Sequence, residues 1–411
     1  MASIRLTSPV THQTFIEAWA GADVMGLTGE TYRIHIPRGC FASCSGIAVM
    51  AAWGQDMRRR GHEVEFYGDD TTLRYLARMD LFKLLEFPYR ENFERHTEGG
   101  RFIPLHKVEN TKECVKVINR IGDVVLHHFD NAREFFPAME WAVNEVMDNI
   151  AIHSETPVPG VACAQFFPEK GRVEIGICDM GRGIKASLSE RYELLSHGHA
   201  ITKALERGVT RNPEVGQGNG LAGTLQIAKA NEGTFHIWSG NACFKMSQGR
   251  EPNFTIIPEI SGTGIWLSLD TTKPVNLRTD TFIGASQFGD NESTYIYSES
   301  ERVTTGDGLV VADECFHTGS RPPAKDLRRK ILSLLPDVDR QPVLLNFAGV
   351  KSASSSFLDE LLGRLVLELG VPIFKSKVTV INMSEHIKQM ANVVIKQRLE
   401  LGNKPAEASE P

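Results

Sequence analysis

Three short segments, in a fixed order across the middle of the chain, constrain this sequence more than anything else in it. They are Asn144-Glu145-Val146-Met147-Asp148-Asn149, then Asp179-Met180-Gly181-Arg182-Gly183, then Gly216-Gln217-Gly218-Asn219-Gly220-Leu221. The first lies in a run, 136–153, whose apolar residues Met139, Val143, Val146 and Ile150 recur at helical spacing. Glu145 and Asn149 are four apart there and project from one helix face. That geometry suits a carboxylate that orients or deprotonates a nucleophile beside an amide oxygen that ligates magnesium. An exposed Glu–Asn pair on a surface helix gives the same pattern.

Asp179 closes an apolar strand, 173–178, and leads into two glycines. A carboxylate there can accept a hydrogen bond from an exocyclic amine, and glycines let the backbone pass close to a flat base. The alternative is an ordinary strand-to-turn Asp-x-Gly. The third segment opens a helix at 221–230, where freed backbone N–H groups, approached without Cβ obstruction, form an anion site for phosphates. No Gly-Lys-Ser/Thr follows, which excludes a Walker A loop. A dinucleotide fingerprint is excluded as well, because this Gly-x-Gly-x-Gly follows a long polar stretch, 185–217, rather than a strand.

The 411 residues allow two or three domains, and 41% hydrophobic with 23% charged residues is the balance of a soluble globular chain. A formal charge of -6 gives no support for nucleic acid as a partner. No run approaches the roughly 18 apolar residues of a membrane span, and residues 1–14 lack the apolar core of a secretory signal. The seven cysteines are scattered without a Cys-x-x-Cys pair, which reads as reduced thiols in a cytoplasmic protein.

The rest of the chain divides around the central block. Residues 1–30 read as irregular. A strand–helix–strand–helix pattern (32–37, 47–60, 62–67, 73–85) marks a small α/β domain over 31–107. The block 108–272 continues after its glycine motifs with a helix and three strands near 234–239, 254–257 and 264–269. A linker is expected at 273–292, a second α/β domain at 293–402 and a disordered tail at 403–411.

In combination the three segments resemble the GHKL ATPase superfamily, the Bergerat fold shared by gyrase B, MutL and histidine kinases. Glu145 and Asn149 match its N box, Asp179, Gly181 and Gly183 its first glycine box, and Gly216, Gly218 and Gly220 its second. Gly262-Thr263-Gly264 looks like the late element whose threonine lies near adenine. The resemblance covers 108–272 and implies ATP and Mg²⁺ as cofactors. It implies that Asp179 binds the adenine amino group, Asn149 holds Mg²⁺ and Glu145 is the general base. Gly181, Gly183, Gly216, Gly218, Gly220, Leu221 and Thr263 would complete the ATP site. The loop 185–220 would close over the phosphates, with Lys203, Arg207 and Arg211 as candidate phosphate partners. Many members dimerise on ATP binding, which leaves a homodimer as an expectation.

The stretch 343–350, followed by Ser352-Ala-Ser-Ser-Ser-Phe-Leu-Asp-Glu-Leu361, resembles a STAS domain of the divergent group marked by Ser-Phe-x-Asp-Glu-Leu. The 31–107 domain is similar to it more weakly, with Ala42-Ser43-Cys44-Ser45 in the place of Ala353-Ser354-Ser355-Ser356. The architecture expected is therefore α/β: a central Bergerat-fold ATPase with layered STAS-like domains on each side. Anti-sigma-factor antagonists carry a phosphorylated serine at this helix start, which makes Ser355 and Ser356 candidate phospho-acceptors. This chain has Ser354 where those proteins have aspartate and Phe357 where they have glycine. Ser356 with Asp359 also approximates a capping box, so its hydroxyl has a second reading as a helix cap.

Two functions remain open on these residues. One is ATP hydrolysis or serine phosphotransfer onto a STAS-type protein module that controls a protein–protein interaction. The other is an ATP-gated conformational switch with little phosphotransfer. A two-component histidine kinase is excluded: His127-His128 lies too close to the N box and lacks the usual acidic neighbour.

Overall fold

The computed structural model describes residues 2–22, 29–95, 101–110, most of 113–124, 132–211 and 218–275 of the N-terminal part. Towards the C-terminus it describes 298–299, 308–315, 318, 321–335, 342–350, 353 and 355–402. The chain is of the α/β class and falls into two compact units, Met1–Asn276 and Leu277–Pro411.

The first unit opens with β1 (Ala2–Arg5), α1 (His12–Ala20), β2 (Thr31–His35), α2 (Cys44–Arg59), β3 (Glu63–Tyr67), α3 (Asp70–Arg78) and α4 (Leu81–Leu84). The strands form a parallel sheet in the order β1-β2-β3. Alternation is clean: Ala2, Ile4, Tyr32, Ile34, Val64 and Phe66 are buried, while the outer face carries polar pairs such as Arg33–Glu65 at 3.0 Å. A strand and a helix thus occupy much of the segment expected to be irregular. β1 is too short to show a period, and α1 is capped by Thr11 with Thr14 rather than with the Glu or Gln of the usual capping signal. The helix expected over 73–85 is broken where Asp80 turns left-handed, at φ 59°.

The unit continues with β4 (Phe102–Val108), α5 (Ala132–His153), β5 (Gly160–Phe167), β6 (Arg172–Cys178), α6 (Gly183–Leu188), α7 (His197–Ala204), α8 (Gly220–Ala230), β7 (Thr234–Ser247) and β8 (Asn253–Asp270). The strands form an antiparallel sheet in the order β4-β5-β6-β8-β7. The three late strands expected from sequence are two long ones. Gly240, Pro258 and Gly262 punctuate the pattern like strand ends, but the ladder passes them through register shifts at Ser239–Ala242.

Both faces of this sheet are covered, and the pairing register says by what. Cys163 opposes Gly176, and Val161 opposes Cys178. Gly176 faces α2, since a Cβ there would lie 2.3 Å from the Cys44 carbonyl oxygen. The alternate residues Ala162, Ala164, Ile175 and Ile177 face the other way. Gly160 shares their face, and its Cβ position meets Ile150 of α5 at 2.6 Å. α2 is therefore packed between the parallel sheet and the antiparallel one, and α5 and α8 cover the far face. Its sequence fits that place: Ile47, Val49, Met50, Ala51, Ala52 and Trp53 are all fully buried, apolar all round. His12 of α1 joins the same layer, stacked on Trp238 at 4.2 Å and 3.2 Å from Ser45 Oγ, with burial holding it neutral.

The second unit contains β9 (Ser298–Glu299), β10 (Leu309–Val310), α9 (Val311–Glu314), α10 (Arg321–Leu334) and β11 (Val343–Asn346). It goes on with α11 (Ser355–Leu358), a π-helical turn Asp359–Gly363, α12 (Arg364–Leu369), α13 (Val371–Lys377), β12 (Val378–Ile381) and α14 (Glu385–Gly402). Its sheet is parallel, in the order β10-β11-β12-β9. Phe347, Phe357, Leu361, Leu362, Leu365, Phe374 and Ile387 make its core. The residues 276–297 and 403–411, which hold most of the expected linker and the whole expected tail, lie outside the described residues.

The α2 contact gives a direct test. Gly176→Ala places a methyl against the backbone of Cys44, which cannot rotate away. It is expected to destabilise the first unit by about 1–3 kcal/mol, read as a lowered urea midpoint. An unchanged midpoint would show that α2 does not bear on β6 at this point.

Candidate functional site

Register also places the site. Cys178 and Trp238 both oppose Gly264 on the α2 side of the sheet, so the next residues, Asp179, Ser239 and Thr263, turn to the face covered by α5 and α8. Three neighbouring strands thus bring their polar ends together on one face. The Asp179 N–H donates to the Thr263 carbonyl at 2.9 Å. The Gly181 N–H donates to Asp179 Oδ1 at 2.7 Å. Asp179 is 3% exposed, and burial raises its carboxyl from the ordinary 3.8 to about 7, against the opposing pull of the Gly181 and Thr263 N–H groups.

The loop after Asp179 is held from two sides. The end of α5 supplies one: the Ser154 carbonyl accepts from the Arg182 N–H at 2.9 Å, and Thr156 Oγ1 accepts from the Met180 N–H at 3.3 Å. A Cβ on Gly181 would lie 2.0 Å from the Ser154 oxygen, so this approach requires glycine. Ser239 supplies the other side, accepting from the Ile184 N–H at 3.0 Å. Gly183 above it is left-handed, at φ 73°. Ser154, Thr156 and Ser239 were not singled out from the sequence. Their partners are distant in the chain, and nothing local marks them.

α5 contributes the carboxylate and the amide. Its neighbours Val143, Asn144, Val146, Met147, Asp148 and Ile150 are buried, but Glu145 and Asn149 are partly exposed, one turn apart. Glu145 meets α8 at its first residue, since a Cβ on Gly220 would stand 2.7 Å from Glu145 Oε2. The structure therefore brings Glu145 and Gly220 together, and Leu221 follows on α8. Gly216 lies outside the described residues. Gly218, left-handed at φ 69°, accepts at its carbonyl from the Gly208 N–H at 3.0 Å.

The stretch 185–217, where the sequence suggested irregular chain, holds most of α6 and all of α7. Neither has the apolar period of a long helix, and Ser196 caps α7 by accepting from the His199 N–H. Two of the basic residues considered for phosphate, Arg211 and Lys203, have carboxylate partners, as does Arg182. Arg211 pairs with Glu155 at 3.0 Å, Arg182 pairs with Glu155 at 2.8 Å and with Glu190, and Lys203 pairs with Glu206 at 2.7 Å. Arg211 and Arg182 hold the Glu155 carboxyl below its ordinary value. Among the described residues no cluster of three or more His, Cys, Asp or Glu side chains forms a metal cage. No helix among them is long and apolar enough to cross a membrane. All seven cysteines are buried and outside disulfides.

In the second unit, Ser355 opens α11 directly after β11 and its following loop, with Ser356 next to it. The side chains of both serines lie outside the described residues. Beyond them Asp359 accepts from Arg398 Nε at 2.8 Å and is ion-paired with Arg321 at 2.9 Å, and Glu360 accepts from Arg328 at 3.0 Å and is ion-paired with Arg364 at 2.9 Å. Residues 324–388, from α10 into α14, match the model of a STAS-like domain of unknown function (DUF4325). This part of the chain is STAS-like. The STAS-like domain therefore includes the serine-bearing helix start and the Asp359–Glu360 pair. No curated protein matches the chain.

The buried carboxylate predicts a pH dependence with a definite sign. Folded Asp179 keeps its proton up to about pH 7, whereas the unfolded chain releases it near 3.8. Its contribution to stability is full below that lower value and is lost as the pH rises to about 7. Asp179→Asn removes this loss, so the variant gains on the wild type between about pH 4 and pH 7 in urea unfolding. Parallel pH profiles for the two proteins would contradict the raised carboxyl.

Proposed function

We propose that the first unit binds Mg-ATP in the manner of GHKL ATPases. The protein uses it to hydrolyse ATP or to phosphorylate a serine on a STAS-type module, so controlling a protein–protein interaction. One observation carries this reading: Asp179, Thr263 and the glycine-bounded loop 181–183 converge on the sheet face covered by α5, whose Glu145 abuts Gly220 at the start of α8. Asp179 accepts the adenine amine, and Gly181 and Gly183 bring backbone close to the base. The N–H groups around Gly218, Gly220 and Leu221 face the phosphates, with Gly216 before them. Glu145 takes the proton from water or from a serine hydroxyl.

Magnesium fits this set of residues. It prefers several waters and phosphate oxygens with one or two protein ligands over an all-protein cage, and Asn149 offers a partly exposed amide oxygen beside Glu145. When bound, the ion neutralises charge on the phosphates. The switch reading has its own support, since β6 runs from the α2 contact at Gly176 straight to Asp179. A change at the nucleotide would reach the N-terminal layer through one strand.

Calorimetric titration of the full chain with Mg-ATP tests the site. Asp179→Ala is expected to weaken binding by about tenfold or more, roughly the 1–3 kcal/mol of a lost buried hydrogen bond. Glu145→Ala should retain binding and lose turnover by on the order of 100-fold. Unchanged affinity in Asp179→Ala would remove the assignment. Mass spectrometry after incubation with Mg-ATP separates the two outcomes for phosphate. A mark on Ser355, Ser356 or an added STAS-type protein supports transfer, and phosphate release without any mark supports hydrolysis.

A further inference from the structure

Ser239 belongs to none of the sequence motifs, yet its hydroxyl joins three segments of the pocket floor. It is 1% exposed and has a single hydrogen to place. The Ile184 N–H, 3.0 Å away, can only donate to it. The Gly262 carbonyl, 2.9 Å away, can only accept from it. The Ser239 hydrogen is therefore committed to Gly262, and toward Thr263 Oγ1, 3.3 Å away, Ser239 presents a lone pair. The Thr263 hydroxyl must direct its own hydrogen at Ser239. What Thr263 then offers a ligand is lone pairs alone. Asp179 is its neighbour and, as a carboxylate with Oδ1 taken by the Gly181 N–H, offers a ligand an acceptor as well.

We propose that Ser239 is a positioning residue for base specificity: by holding the Thr263 hydroxyl as a donor to itself, it keeps the pocket floor all-acceptor, matched to a 6-amino purine and mismatched to a 6-oxo purine. A 6-amino group supplies two N–H donors to such a floor. A 6-oxo group sets a carbonyl oxygen against oxygen lone pairs, and the buried acceptors go unpaired. The inference rests on the nucleotide reading above and adds to it the residue that sets the polarity of the base pocket.

Ser239→Ala frees the Thr263 hydroxyl to turn and donate, so the floor can serve either base. Affinities for Mg-ADP and for the inosine diphosphate, which carries oxygen in place of the amine, are measured by calorimetry on the full chain. The measurement is made at pH 8, where Asp179 is ionised. The wild type is expected to favour ADP by about tenfold or more. Ser239→Ala should narrow that ratio at least several-fold, chiefly by strengthening the inosine diphosphate, and Ser239→Thr should restore it. A purely structural role would weaken both diphosphates by the same factor and leave the ratio unchanged, which overturns the proposal. Should Ser239→Ala fail to fold, Thr263→Val gives the same reading, because it deletes the acceptor while leaving the Ser239 bonds to Ile184 and Gly262. An unchanged ratio there overturns the proposal too. Equal wild-type affinity for the two diphosphates would refute the role of Ser239 and leave nucleotide binding standing. Binding of neither would refute both.

Discussion

The first unit depends on one buried helix. Over Cys44–Gly54 α2 has no face for water: one side packs on the parallel sheet and the other on β5, β6 and β8. A helix in that position must be apolar all round and must approach its neighbours closely, and Gly176 lets the backbone of Cys44 reach β6. The consequence lies three residues further on. With β6 clamped by α2 on one face and covered by α5 on the other, its end at Cys178 has little freedom, and Asp179 inherits a fixed position. The same layering explains why Asp179 is dry enough for its carboxyl to be raised.

How far the site could be read in advance follows from the range of its interactions. Glu145 and Asn149 were legible because an i, i+4 pair on a periodic helix declares its own geometry. The placement of Asp179, Gly181 and Gly183 was legible because the apolar run 173–178 ends at that carboxylate, as β6 does. Ser239 was not, for its meaning comes from being opposite Thr263 across β7 and β8, a pairing set by register and not by neighbours. Ser154 and Thr156 were hidden for the same reason, being bonded to residues some 25 positions away. The long hairpin of β7 and β8 was read as three strands because a bulge and a proline look, locally, like ends.

In the STAS-like domain the Asp359–Glu360 pair has a structural account. Both carboxylates are buried, and a buried charge is tolerated when it is paired and hydrogen-bonded. The partners come from three helices: Arg321 and Arg328 from α10, Arg364 from α12 and Arg398 from α14. They meet at a π-helical turn, where the widened backbone separates the segment Asp359–Gly363 from the regular helix on either side. Together these bonds tie α10 and α14 to the helix that begins at Ser355. The pair is thereby a clamp on that helix start, and the two acids are engaged by guanidinium groups.

Asp179 runs against stability, and the proposed nucleotide would give that cost a use. A carboxylate at this depth must either hold a proton or carry a charge that burial opposes, and near neutrality the fold tolerates both. An asparagine would accept the Gly181 N–H through its carbonyl oxygen without that cost. It would also present the pocket with an amide that can donate as readily as accept. A carboxylate, once ionised, can do nothing but accept. On the proposed reading, with the Thr263 hydroxyl directed at Ser239, both side chains would meet a base amine as acceptors. On that reading Asp179 gives up stability for a defined hydrogen-bond polarity, and the base amine would complete the set.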